Sequence, residues 1–124
     1  MKLSPGLILA AAVALIGCKR ADNDVKMAAT PKEAASQIEQ AFQNANPEVR
    51  SAADAAAEAM RNGEFEKAVV SLTTVKSAPS VTLDQGLAVH SSTVALEARL
   101  VSAMASGDEN ARRAYELLKA MKGK

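Results

Sequence analysis

Aromatic side chains are almost missing from this chain of 124 residues: Phe42, Phe65 and Tyr115 are the whole set, and there is no tryptophan. A core built without them has to be filled by Ala, Val, Leu, Ile and Met, and alanine-rich packing of that kind suits helices brought close together. Strand signals are missing too, since no sustained alternating run of branched or aromatic residues occurs. One cysteine and one histidine, Cys18 and His90, leave no set of soft metal ligands. Glycine-rich phosphate loops, a GxSxG elbow and paired cysteines are absent as well. An excess of either charge is also lacking, with 15 basic and 14 acidic residues. No basic cluster exceeds the pairs Lys19-Arg20 and Arg112-Arg113, so the electrostatic footprint of a nucleic-acid binder is not there.

What is present begins at the N-terminus. Met1-Lys2 supplies a short positive region, and an apolar run of 12 residues follows from Gly6 to Gly17. That is the length of a secretory h-region, and it falls short of the roughly 20 apolar residues that a permanent helical span requires. The lone thiol of Cys18 stands at its end. By itself a single cysteine fits half of an intermolecular disulfide, a buried core thiol, a nucleophile or a point of covalent attachment. Removal of residues 1–17 takes away one charged residue, Lys2, and leaves acidic and basic side chains in balance.

Leu15-Ile16-Gly17-Cys18 resembles the lipobox of bacterial lipoproteins. The resemblance implies cleavage between Gly17 and Cys18, a diacylglyceryl group on the Cys18 thiol, and further acylation of the new amino terminus. Each buried methylene contributes about 0.8 kcal/mol, so one chain anchors marginally and two or more anchor stably. The family's sorting pattern, with Lys19 and no aspartate after the cysteine, implies the outer membrane facing the periplasm in a Gram-negative cell. In a single-membrane cell it implies the outer face of the plasma membrane. An uncleaved signal anchor with an incidental cysteine is the competing reading.

Residues 18–29 then read as a lipidated end and polar tether, and residues 30–124 as one small α-helical domain. Thr30, Pro31 and Glu33 form a capping-box pattern that opens a first helix from about Pro31 to Asn44. Asn46-Pro47 opens a second to about Arg61, with Val49, Ala53, Ala56 and Met60 inward. Gly63 stops it, and Phe65, Ala68, Val69, Leu72 and Val75 mark a third to about Ser77. A fourth, about Thr82 to Ser106, carries Leu83, Leu87, Val94, Ala98 and Val101 on one side and Val89, Leu96 and Leu100 on another, a pattern that predicts neighbours on both. Gly107 turns the chain, Asp108 caps, and a last helix to about Met121 turns Ala111, Ala114, Tyr115, Leu118 and Met121 inward. The predicted fold is all-α, a bundle of about five helices.

The second helix pair, with Gly63, Phe65, Ala68 and Leu72, resembles half of a tetratricopeptide repeat, which uses a glycine turn, an aromatic and a small alanine at its helix crossing. The turn at Gly107 resembles the same arrangement and also the related Sel1-type repeat, and the likeness implies antiparallel hairpins over residues 48–121. Gly63 and Gly107 stand 44 residues apart, however, where the repeat period is about 34. A generic helical bundle accounts for the same pattern.

Chemistry has little to work with. His90 is placed on the fourth helix with no carboxylate one turn away, and Glu97 lies roughly 10 Å along the axis. Acidic pairs such as Glu64-Glu66 and Asp108-Glu109 are explained as charges at helix starts. The expectation is therefore a non-catalytic lipoprotein of the cell envelope. It has no cofactor apart from the covalent lipid on Cys18 and no metal, nucleic-acid or small-molecule partner. It is held to the membrane by that lipid and presents a helical surface to another envelope protein. The alternative is a structural protein that self-associates through a long exposed heptad stripe, for which the fourth helix offers about three heptads.

Overall fold

A computed structural model describes residues 27–122, and over these the chain is helical, with no strand. Five helices follow in order: α1 (Pro31–Phe42), α2 (Pro47–Asn62), α3 (Phe65–Lys76), α4 (Leu83–Ala105) and α5 (Glu109–Lys122). The apolar run, Gly17, Cys18 and most of the polar tether lie outside the described residues.

Local chemistry sets each boundary. The Thr30 hydroxyl accepts from the Glu33 N–H at 3.2 Å, and Pro31 takes the first helical position, where a missing N–H costs nothing. The Glu33 carboxylate reaches one residue past the cap and accepts from the Ala29 N–H at 2.9 Å, so the capping box is offset by one position. The Asn46 amide oxygen accepts from the Val49 N–H at 3.0 Å. The most complete cap opens α4, where Thr82 and Gln85 each satisfy the other's backbone N–H, at 3.1 and 3.0 Å. Asp108 accepts from the N–H groups of Asn110 and Ala111. Gly63 and Gly107 close their helices at φ of 72° and 88°, in the left-handed region that favours glycine.

The helices close into a ring: α1 packs on α2, α2 on α3, α3 on α5, α5 on α4, and α4 back on α1, while α3 also touches α4. The ring encloses one core. Most of its residues are alanine, among them Ala34, Ala35, Ala53, Ala56, Ala57, Ala59 and Ala68, and its bulk comes from Phe42, Ile38, Leu96, Leu100, Val69 and Val75, all fully buried. Small side chains let the axes approach, and dense packing then supplies the dispersion contacts that large side chains would otherwise give.

The fourth helix differs from its expected role. Val89, Leu96 and Leu100 are buried as predicted, but the other side faces outward: Leu83 is 78% exposed, Val94 43% and Val101 48%. α1 is bonded to α4 through Gln85, Ser91 and Ser92, and α5 through Glu97, so both flanks of α4 are occupied and, among the described residues, no element covers the outer stripe. The bundle also starts earlier than the tether reading placed it. Ala28 is buried and its N–H donates to the Ser91 hydroxyl at 2.7 Å.

One ion pair joins α1 to α2: Arg61 donates to both Glu39 oxygens at 2.6 and 2.7 Å. That bidentate bond holds the Glu39 carboxyl below its ordinary value of 4.5. Both side chains are more than a third exposed, so solvent keeps the contribution under about 1 kcal/mol.

Two outcomes follow from these contacts. Nothing lies within 4 Å of a Cβ added at Gly63, so Gly63→Ala should cost only its left-handed strain, about 1–2 kcal/mol, read as a lowered Tm. Because the Glu39 pKa is lowered in the folded state, its stabilisation is present above pH 4.5 and lost as pH falls through the folded pKa. Thermal melts should therefore show wild type slightly more stable than Glu39→Gln at pH 7, with the gap closing in acid. A gap that is constant or widens in acid contradicts the assignment.

Candidate functional site

The surface with most to offer a partner is built around α4. Seven-residue spacing places Leu87, Val94 and Val101 in one line, Leu83 extends it and Ala98 lies within it, giving an apolar stripe along the length of a 23-residue helix. A solitary exposed apolar residue means little, whereas a contiguous row on one helix marks an interaction surface.

Beside the stripe the helices leave two adjoining hollows. The larger, about 380 Å³, lies between α3, α4 and α5 and is lined by Val69, Leu72, Thr73, Leu118 and Met121 among others. The second, about 290 Å³, is lined by Val81, Val89, His90 and Val94. Both share Lys76, Thr93 and Lys122, so they form one groove with an apolar floor and a basic mouth. Lys122 is neutralised by Glu97 at 3.0 Å. Lys76 has no acidic partner among the described residues and leaves the mouth with one open positive charge.

The residues singled out by sequence fall in different places. Ala68 and Leu72 are buried, and Leu72 helps form the groove floor. Phe65 is half-buried and sits outside the groove, its ring covered by the Arg99 guanidinium at 5.5 Å from the centroid. Gly63 and Gly107 shape turns and line neither hollow. Tyr115, expected inward, is half-buried under the Lys119 ammonium at 5.0 Å. His90 is exposed on the stripe side and makes no hydrogen bond among the described residues, so nothing there orients its ring. Cys18 and Gly17 lie outside the described residues.

Two buried serines escaped the sequence reading. The Ser91 hydroxyl accepts from Ala28 and donates to the Gln37 side-chain oxygen at 3.2 Å, and the Ser92 hydroxyl reaches the Ala34 carbonyl at 3.5 Å. Together they fasten α1 and the residues before it to the middle of α4. The readable signal was the Met27-Ala28-Ala29 triplet, an apolar interruption after a polar stretch.

Among the described residues, no group of three His, Cys, Asp or Glu side chains is placed to hold a metal ion. No helix there is long and apolar enough to cross a membrane. No family model matches the chain, and neither a curated protein nor a solved structure matches it.

The division of α4 into an outer and an inner face has a direct consequence. Val94→Arg should leave the stability of the folded protein within about 0.5 kcal/mol of wild type. Leu96→Ala, two residues away, should cost about 2–5 kcal/mol. Equal losses in denaturant titration contradict the outward placement of the stripe.

Proposed function

We propose that this chain is a lipid-anchored protein of the bacterial cell envelope whose helical domain is a non-catalytic interaction module. Two supports of different kinds carry the reading. The address rests on Leu15-Ile16-Gly17-Cys18 after a 12-residue apolar run. The task rests on one observation, the apolar groove between α3, α4 and α5 with Lys76 open at its mouth.

A groove of this form suits an amphipathic segment that lays apolar side chains along the partly exposed Val81 and Met121 and sets a carboxylate against Lys76. The pairs α2–α3 and α4–α5, each joined by a short turn, are used here in the manner of tetratricopeptide hairpins. α1 departs from that scheme, since it touches both α2 and α4 and closes the set where a repeat array would stay open. Anchoring at Cys18 leaves about ten residues before Ala28, which reach at most about 35 Å. The groove therefore stays close to the membrane face and meets partners that are held there too.

The test is intact mass spectrometry of full-length protein recovered from native membranes, beside Cys18→Ser and Thr93→Arg, the last of which fills the groove. Wild type should lack residues 1–17, carry acyl mass on Cys18 and recover the same envelope protein reproducibly. Cys18→Ser should lose the lipid, and Thr93→Arg should keep lipid and helicity while losing the partner. Retention of residues 1–17 with no acyl mass removes the address, and a partner unaffected by Thr93→Arg removes the groove.

A further inference from the structure

We propose that the outer stripe of α4 is covered by the same stripe of a second copy, antiparallel, about a two-fold axis passing beside Val94. The orientation rests on the lipid-anchor reading; the pairing rests on the stripe.

Consider first what the stripe needs. Leu83, Val94 and Val101 are all more than two-fifths exposed, and nothing in the bundle can move over them because α1 and α5 already hold both flanks of α4. The line is symmetric about Val94: Leu87 and Val101 stand seven residues to either side, and Leu83 and Ala105 eleven. A two-fold axis beside Val94 therefore sets Leu87 opposite Val101, Leu83 opposite Ala105, and Val94 opposite itself. Such a face is self-complementary, as an isologous contact requires. The polar groups that flank it are His90 and Glu97, both on the side toward α5; Glu97 is tied to Lys122, and the chain as a whole carries only +1. Two copies approach without repulsion.

The N-terminal junction selects the direction of pairing. Ala28 joins the bundle at Ser91, three residues before Val94 and so about 60° round α4 from it. In an antiparallel pair the two-fold axis is perpendicular to the helices and to the line between them, so a feature part-way round each helix emerges on the same side in both copies. In a parallel pair the axis runs along the helices, and that feature emerges on opposite sides. Two chains anchored in one membrane through tethers of about 35 Å are best served by junctions on one side. The contact of two such helices lies at the small end of specific interfaces, below about 1,200 Å². It holds through confinement at the membrane, which raises effective concentration toward the millimolar range.

The experiment uses the full-length protein in native membranes with Val94→Cys, Leu87→Cys and Val101→Cys, and with Glu58→Cys on the exposed side of α2 as the reference. Mild oxidation should link Val94→Cys into a dimer about tenfold more than Glu58→Cys. Leu87→Cys and Val101→Cys should stay at the reference level when expressed alone, because each copy of position 87 lies about 21 Å from the other. They should link to each other when expressed together. Peptide mapping places the bond at the introduced cysteine and reports acyl mass at Cys18 in the same sample. Linkage of Val94→Cys no greater than the reference overturns the pairing, whether or not lipid is found. Self-linkage of Leu87→Cys at the Val94→Cys level overturns the antiparallel direction. Linkage at Val94→Cys in protein that lacks acyl mass upholds the pairing and removes the anchor.

Discussion

Alanine governs this structure. With two phenylalanines and one tyrosine in the chain, volume is scarce, and a core can close only where helix axes come near enough for methyl groups to meet. Burial of a methyl group contributes little, so cohesion rests on number and density of contacts plus a few larger side chains such as Phe42, Ile38, Leu96 and Leu100. A domain held this way needs every helix end fixed in register. The caps at Thr30, Asn46, Thr82 and Asp108 and the left-handed turns at Gly63 and Gly107 do that.

The same constraint explains why α4 keeps an uncovered side. The ring is complete once α4 returns to α1, and the serines at 91 and 92 seal that seam with hydrogen bonds where the neighbouring positions are small. The inner side of α4 already supplies Val89, Leu96 and Leu100 to the core, and Leu83, Leu87, Val94 and Val101 fall on the opposite side, Leu87 half-buried at its margin. They lie on the outside as a row, next to a groove whose mouth carries Lys76. Surface chemistry here is the complement of interior packing, and the Ala28–Ser91 hydrogen bond fastens the residues before α1 to the same helix.

Much of the fold was legible in the sequence because caps and periodicity are local. Thr30, Asn46-Pro47, Gly63, Gly107 and Asp108 each announce a boundary through their own chemistry, and helix limits fell within two residues of expectation. The outward face of α4 was not legible. An apolar stripe looks the same whether a neighbour covers it or not, and only the closing of α1 onto α4, a contact across more than fifty residues, decides the matter. The groove was hidden for the same reason, since Val69, Thr93 and Met121 come from three helices. Ser91 and Ser92 read as polar residues of a surface helix until α1 is placed over them.

Hydroxyl-radical footprinting of the full-length chain tests the central claim, that α4 keeps its inner side for the bundle and its outer side for contact. Leu96 and Leu100 should be protected both in native membranes and after dilution in detergent. Leu83, Leu87, Val94 and Val101 should be protected in membranes and become reactive in detergent. Equal reactivity of the outer four in both states, or reactivity of Leu96 and Leu100 in the folded protein, contradicts it.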